Sequence, residues 1–137
     1  MLDLFKSKKK TSHIRVLVVD DETDIVSTIE YRLKFNEIDV ITAANGKEGL
    51  EKAAKEKPDL ILLDINMPVM DGHEMLERLK HSPDLKNIPV IMLTAFSDAK
   101  DVAKAADLGV ADYITKPFDF TDLMGKISKA LGDKVQV

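Results

Sequence analysis

The amino-acid sequence predicts one α/β domain in which helices cover both faces of a five-stranded parallel sheet. Apolar runs of strand length alternate with amphipathic helical patterns five times between residues 14 and 131. Strands that alternate with helices in this way pair in parallel, and the helices then pack on both faces of the sheet. A length of 137 residues suffices for one domain with a substantial core, and no interdomain linker interrupts the pattern.

Five apolar runs predict the strands. Each run is rich in Val, Ile or Leu and is bounded by turn residues, as expected for strands of a buried sheet. The second run is the least clear of the five from its composition. The predicted strands are residues 14–19, 38–43, 59–63, 88–93 and 111–114.

The segments that follow these runs predict five helices. In the first, Ile25, Ile29 and Leu33 recur every four residues and form one apolar stripe. The fourth is rich in alanine and ends before Gly109, a residue type that often follows a helix. The four helices after the first are predicted over residues 46–57, 73–80, 98–108 and 120–131.

The composition excludes several classes of protein. Without cysteine the chain has no disulfide and no thiolate chemistry. No apolar run approaches the length of about 20 residues that spans a bilayer, and the N-terminal apolar stretch is too short for a secretory signal. Hydrophobic residues make up 45% of the chain and charged residues 32%, as in soluble globular proteins. We therefore expect a cytoplasmic protein.

Charge is distributed unevenly along the chain. Five basic side chains and one acid give residues 1–15 a net charge of +4, so the remaining 122 residues carry −8. An acidic body disfavours direct binding of nucleic acid. Residues 1–13 are expected to form a mobile basic tail, although its apolar residues also allow contact with a membrane surface or a partner. The domain is expected over residues 14–132, and a short tail over residues 133–137.

Chemically active residues follow four of the predicted strands, at the point where each strand ends. Asp20 and Asp21 follow the first strand, Asp64 the third, Thr94 the fourth and Lys116 the fifth. Because the carboxyl ends of parallel strands meet at one edge of an open sheet, these side chains are expected to converge. The three histidines, at positions 13, 73 and 81, share no spacing with the acids and are expected at the surface.

Three carboxylates in one place need a neutralising cation or a bound proton. A site of oxygen ligands suits Mg²⁺, which keeps several waters and often bridges to phosphate. A lysine is out of place in a site for a metal alone. However, ammonium, hydroxyl and Mg²⁺ can each hold one oxygen of a phosphoryl group. One carboxylate would then attack phosphorus and form an aspartyl phosphate.

Four short motifs resemble the receiver domain of two-component response regulators, and the resemblance spans residues 14–131. They are V-L-V-V-D-D-E (16–22), D-I-N-M-P-V-M-D-G (64–72), M-L-T-A (92–95) and A-D-Y-I-T-K-P-F (111–118). Each stands at a predicted strand end, and the four follow in the family's order. The resemblance implies the flavodoxin-like fold of chemotaxis receivers, with strand order 2-1-3-4-5.

The resemblance also implies a phosphoaccepting switch. Asp64 would take a phosphoryl group from a phosphohistidine on a histidine kinase or a histidine phosphotransfer domain. Asp20 and Asp21 would hold Mg²⁺ together with the Asp64 carboxylate and the backbone carbonyl of Asn66. Such a protein is not an enzyme for other substrates, because it catalyses only its own phosphotransfer and autodephosphorylation.

The other matched residues would sense the phosphoryl group and pass the signal on. Thr94 would bond one phosphoryl oxygen and Lys116 another, and the Lys116-Pro117 peptide is expected to be cis. Tyr113 would swing inward when Thr94 moves toward the phosphoryl group. A downstream protein would then bind the face made by helix four, strand five and helix five. The fourth helix shows no dimer seam, so we expect a monomer.

Other interpretations stay open at this point. Asp20, Asp21 and Thr23 also fit helix N-caps. Thr94 fits an ordinary strand-end hydroxyl, Lys116-Pro117 an ordinary turn, and Tyr113 a half-buried strand residue. Flavin-binding proteins share the fold, but acids after the first strand would repel a flavin phosphate. Residues 20–24 do not meet the D-x-D-x-T signature of aspartate-nucleophile phosphatases. A stand-alone receiver competes with a receiver cut from a larger regulator, and with one that binds partners without phosphorylation.

Overall fold

A computed structural model describes residues 13–95 and 99–132, in which five strands alternate with five helices. The strands are β1 Arg15–Val19, β2 Asp39–Ala43, β3 Leu60–Asp64, β4 Val90–Thr94 and β5 Asp112–Thr115. The helices are α1 Thr23–Phe35, α2 Gly46–Glu56, α3 Gly72–Lys80, α4 Ala99–Asp107 and α5 Phe120–Leu131.

All ten predicted elements are confirmed, and for the nine with predicted ranges the boundaries differ by at most two residues. Both predicted tails lie outside the described residues, except for the exposed His13. Residue 98, the predicted start of the fourth helix, lies outside them as well. None of the helices in the described ranges has the length and apolarity that crossing a membrane needs.

The five strands pair in parallel in the order β2-β1-β3-β4-β5, as predicted. In register, Asp64 at the end of β3 lies beside Leu93 of β4, and Thr94 at the end of β4 lies beside Thr115 of β5. β2 is added on one side of β1, whereas β3, β4 and β5 are added on the other side, so the order of strands reverses between β1 and β3. Such a reversal opens a crevice at the carboxyl ends of the two strands.

An apolar layer covers each face of the sheet. In β1, Val16 and Val18 belong to the layer beneath α1 and α5, whereas Leu17 and Val19 belong to the layer beneath α2, α3 and α4. This division follows from the alternation of side chains along a strand. The central strands β1, β3 and β4 are buried almost throughout. Edge strand β2 is more exposed, which explains why its composition is the least clear.

The first turn of helix α3 packs directly against the end of β3. The backbone N–H of Gly72 donates to the carbonyl oxygen of Ile65 at 2.8 Å, and the Asp71 side chain caps the helix by accepting from Glu74 N–H at 2.9 Å. A Cβ atom at Gly72 would overlap the carbonyl oxygen of Asp64 and lie 2.9 Å from Ile65 Cα. Only glycine lets helix and strand approach so closely, and this contact fixes the backbone that carries Asp64.

The prediction that His73 lies at the surface is wrong. His73 keeps 7% of its surface exposed, and its ring Nε2–H donates to the carbonyl oxygen of Asp101 in α4 at 3.2 Å. It shares a helix face with Leu76, which is fully buried. A polar ring is tolerated on that face because the α4 carbonyl accepts its hydrogen bond.

Candidate functional site

Three carboxylates meet at the carboxyl ends of β1 and β3, and we call them the acid cluster: Asp20, Asp21 and Asp64. One ligand oxygen of each lies within 4.8 Å of the other two. Asp20 and Asp64 expose only 2% and 4% of their surface, whereas Asp21 is exposed. Ionised carboxylates at this distance repel one another, and burial of two of them makes the repulsion stronger. The acid cluster therefore favours a cation.

The ammonium group of Lys116 lies among these acids. Its Nζ is 2.8 Å from Asp20 Oδ2 and 3.4 Å from Asp64 Oδ1. It also donates a hydrogen bond to Glu22 Oε1 at 2.7 Å. One lysine thus neutralises part of the charge of three neighbouring acids.

The acids that precede α1 do not cap the helix. The N-cap residue is Glu22, and its side chain makes no capping hydrogen bond. Asp20 Oδ1 accepts a hydrogen bond from the N–H of Glu22 at 2.9 Å, and Glu22 lies before the first helical residue. By contrast, side-chain oxygens of Asn45, Asp71 and Asp119 cap α2, α3 and α5. The helix-cap interpretation of Asp20 is therefore wrong.

The sequence itself matches one family over most of its length. Residues 16–128 match the family model of the response regulator receiver domain. The chain belongs to this family. The matched residues include all five strands except the first residue of β1, and they include the edge of the sheet that holds the acid cluster.

Relatives of this receiver domain include longer regulators and single-domain structures. It is 41% identical over 117 residues to the alkaline phosphatase synthesis transcriptional regulatory protein PhoP of Bacillus subtilis, a match that covers 85% of this chain and 48% of PhoP. It is 38% identical to the transcriptional regulatory protein PrrA of Mycobacterium tuberculosis, with 85% and 49% covered. The chain thus spans about half the length of the curated relatives it matches. The chemotaxis response regulator CheY4 of Vibrio cholerae is 32% identical and superposes with a TM-score of 0.82, covering 87% of this chain and 99% of that one.

The acid cluster of this receiver domain fits a divalent cation. Receiver domains generally bind Mg²⁺, and carboxylate oxygens are hard ligands that suit it. Asp20 Oδ2 is buried and lies 2.8 Å from Lys116 Nζ, and no other group among the described residues donates a hydrogen bond to it. This oxygen therefore keeps lone pairs that a metal ion would use. Asn66, whose backbone carbonyl is the fourth predicted ligand, is an exposed loop residue after β3.

Burial changes the proton affinity of two groups in the site. Loss of surrounding water, and next the charge of Asp20, raise the pKa of Asp64 to about 6, although Lys116 acts in the opposite direction. Burial by itself lowers the pKa of Lys116, but the carboxylates of Asp20 and Glu22 outweigh it and raise the pKa above its usual value. At neutral pH the site therefore holds a permanent ammonium beside a carboxylate that is costly to ionise.

The raised pKa of Asp64 predicts a pH-dependent gain in stability for Asp64→Asn. Between the ordinary pKa of 3.8 and the folded value of about 6, the folded state binds more protons than the unfolded state, so stability falls as pH rises through this window. In EDTA at pH 7.5 we expect Asp64→Asn to be more stable than wild type by about 1–2 kcal/mol, after allowing for solvent screening. Urea denaturation at pH 7.5 and at pH 4 measures this gain.

At pH 4 the gain should nearly vanish, because Asp64 is then protonated in the folded protein. Asp84→Asn is the control, since Asp84 is an exposed carboxylate in the loop before β4. It should change stability little at either pH. An equal gain for Asp64→Asn at both pH values would contradict the electrostatic cause.

The two predicted switch residues lie on neighbouring strands. Thr94 exposes 3% of its surface, and its carbonyl oxygen accepts from the N–H of Lys116 at 2.7 Å. The Lys116-Pro117 peptide bond is cis, as predicted. Tyr113 pairs in register with Met92 and exposes 43% of its surface. The site thus includes Thr94 and Lys116 at one edge of the sheet, and the switching role of Thr94 and Tyr113 stays a prediction.

Glu22 was not predicted as a site residue. It is the third acid of the run that follows β1, yet nothing in its spacing indicates a contact with a residue 94 positions away. One signal was present in the sequence. Glutamate is uncommon as an N-cap, where Ser, Thr, Asp and Asn are preferred, so an acid of this length before α1 indicates another use.

Proposed function

We propose that the chain is a phosphoaccepting receiver, which takes a phosphoryl group onto Asp64 from the phosphohistidine of a histidine kinase or a histidine phosphotransfer domain. The observation that supports this most strongly is the position of the Asp64 carboxylate. It lies at the end of β3, is 4% exposed, and has the Lys116 ammonium 3.4 Å away. A poorly hydrated carboxylate beside a fixed cation is suited to attack phosphorus.

The proposed reaction is a displacement at phosphorus. One carboxylate oxygen of Asp64 bonds to phosphorus while the phosphorus–nitrogen bond of the phosphohistidine breaks, and the imidazole leaves with the electron pair. Lys116 stabilises negative charge on one phosphoryl oxygen, and the Thr94 hydroxyl bonds another. Mg²⁺, held by the acid cluster and the Asn66 backbone carbonyl, would neutralise further charge on the phosphoryl group.

The phosphoryl group would act as a signal rather than as an intermediate in turnover. Its contacts with Thr94, followed by movement of Tyr113, would change the relative populations of two forms of the face made by α4, β5 and α5. A downstream protein would bind one form in preference to the other. We further propose that the receiver is a monomer in the cytoplasm. It would catalyse only its own phosphotransfer and autodephosphorylation.

We favour a stand-alone receiver, and a specific observation supports a second candidate. PhoP and PrrA are named transcriptional regulatory proteins, and the chain spans about half of each. A receiver joined to a transcriptional output domain is therefore the alternative. The mass of the native protein distinguishes them, because a value near 15.3 kDa supports the stand-alone receiver and a value near twice that supports the alternative.

Intact mass spectrometry tests the phosphoacceptor directly. After incubation with acetyl phosphate and Mg²⁺, we expect the wild-type protein to gain the mass of one phosphoryl group and to gain none in EDTA. Asp64→Asn should gain none under either condition, because the amide is not a nucleophile. If Asp64→Asn gained the same mass as wild type, another residue would be the acceptor.

A further inference from the structure

The shortest contact of Lys116 is with Glu22 and not with the carboxylate that it is proposed to assist. Nζ lies 2.7 Å from Glu22 Oε1 but 3.4 Å from Asp64 Oδ1. The Glu22 side chain is 57% exposed, whereas that of Asp64 is 6% exposed. A solvent-exposed carboxylate thus holds the ammonium group from the outer side of the site.

Local structure does not require a carboxylate at position 22. Glu22 is the N-cap of α1 and does not cap it, although side-chain oxygens cap three of the other helices. Its side chain instead crosses from the end of β1 to the residue that follows β5. The contact with Lys116 is therefore the physical role that the structure shows for this side chain.

A lysine ammonium has three N–H donors. In this site three carboxylates lie within 3.4 Å of Nζ, and the hydrogen bond from Nζ goes to Glu22, so a phosphoryl oxygen on Asp64 would compete with Glu22 for that donor. Asp20 cannot leave, because its side chain is fully buried. Glu22 can turn into solvent at small cost, since its exposed side chain would be hydrated there.

We infer that Glu22 is a positioning residue that competes with the incoming phosphoryl group for the Lys116 ammonium. In the unphosphorylated receiver Glu22 holds the lysine toward the outside of the site, and the phosphoryl group has to replace it. The inference rests on the proposed function, because it assumes that Lys116 binds a phosphoryl oxygen. Glu22 would then limit both the loading of Asp64 and the stability of the loaded state.

Binding of fluoroberyllate tests this role without any chemical turnover. Fluoroberyllate mimics a phosphoryl group on a carboxylate, and its affinity for the full chain can be measured by titration calorimetry in saturating Mg²⁺. We expect Glu22→Gln to bind it about two- to fivefold more tightly than wild type, the range that a partly exposed ion pair commonly supplies. Glu22→Asp should also bind more tightly, because the shorter side chain keeps the charge but cannot maintain the 2.7 Å contact.

Asp24→Asn is the matched control for charge. Asp24 is an exposed acid in the first turn of the same helix, and Lys116 forms its ion pairs within the described residues with other acids. We expect Asp24→Asn to bind fluoroberyllate with the affinity of wild type. Equal tightening by Glu22→Gln and Asp24→Asn, with Glu22→Asp unchanged, would overturn the inference in favour of a general charge effect. Unchanged or weaker binding by Glu22→Gln would overturn it as well.

The outcome for wild type separates this inference from the proposed function. If wild type does not bind fluoroberyllate in Mg²⁺, the phosphoacceptor role itself fails. If wild type binds it and Glu22→Gln gains nothing, only the role of Glu22 fails.

Discussion

Gly72→Ala is expected to destabilise the receiver by about 2–4 kcal/mol, although glycine to alanine ordinarily stabilises a helix. A Cβ atom at this position would overlap the carbonyl oxygen of Asp64 and lie 2.9 Å from Ile65 Cα. Both neighbours are backbone atoms, so no side-chain rotation can relieve the overlap. Helix α3 would have to move away from β3, and the buried contacts of Leu76 beneath it would weaken.

Gly125 supplies a control with the same substitution. It lies inside α5, and a Cβ atom there meets no heavy atom within 4 Å. Gly125→Ala should therefore stabilise the protein by about 0.5–1 kcal/mol, the usual helix-propensity gain. Urea denaturation of both variants measures the difference, which should have opposite signs. A stabilising Gly72→Ala would show that α3 does not press on the end of β3 as described.

Gly72→Ala should also affect Asp64, the proposed phosphoacceptor. Because Gly72 contacts the backbone of Asp64 itself, any movement that makes room for a methyl group shifts the carboxylate relative to Lys116. We expect folded Gly72→Ala to accept a phosphoryl group from acetyl phosphate more slowly than wild type, while Gly125→Ala should match wild type.

The framework of the site was predictable from sequence because it depends on local pattern. Buried parallel strands appear as continuous apolar runs, and an acid or a hydroxyl at the end of such a run lies at one edge of the sheet. Asp20, Asp64, Thr94 and Lys116 were placed in this way. The strand order depended on the family resemblance, since alternation alone does not determine which strands are neighbours.

Contacts between residues distant in sequence were not predictable in the same way. The hydrogen bond from Lys116 to Glu22 depends on where a flexible four-carbon side chain ends, and no spacing rule describes that. The burial of His73 depends on α4 packing close enough for the Asp101 carbonyl to accept its ring N–H. The need for glycine at position 72 depends on how closely α3 approaches β3. These are properties of packing between elements rather than of any one element.

Lys116→Met is expected to have two large effects that depend differently on Mg²⁺. Methionine keeps most of the apolar stem but leaves Asp20, whose side chain is fully buried, and Asp64 without their cation. In EDTA at pH 7.5 we expect a loss of about 2–3 kcal/mol, less than for a rigid buried pair because Asp64 can take up a proton. In saturating Mg²⁺ much of this loss should be recovered, since the metal neutralises the same carboxylates.

Mg²⁺ should not restore phosphoryl acceptance, because in the proposed reaction Lys116 stabilises charge that the metal would not neutralise in its place. We expect the rate of phosphorylation of Lys116→Met by acetyl phosphate in Mg²⁺ to fall about a hundredfold, the usual cost of losing one donor to a developing charge. Lys126→Met is the control, because among the described residues Lys126 pairs with Asp112, through two long contacts of 3.4 Å, and not with the acids of the site. It should change stability by less than about 1 kcal/mol and leave the rate unchanged. If Lys116→Met were as stable as wild type in EDTA, the ammonium would not be the group that offsets the repulsion between the carboxylates of the site. If it kept the wild-type rate in Mg²⁺, Lys116 would stabilise the fold and take no part in the transfer.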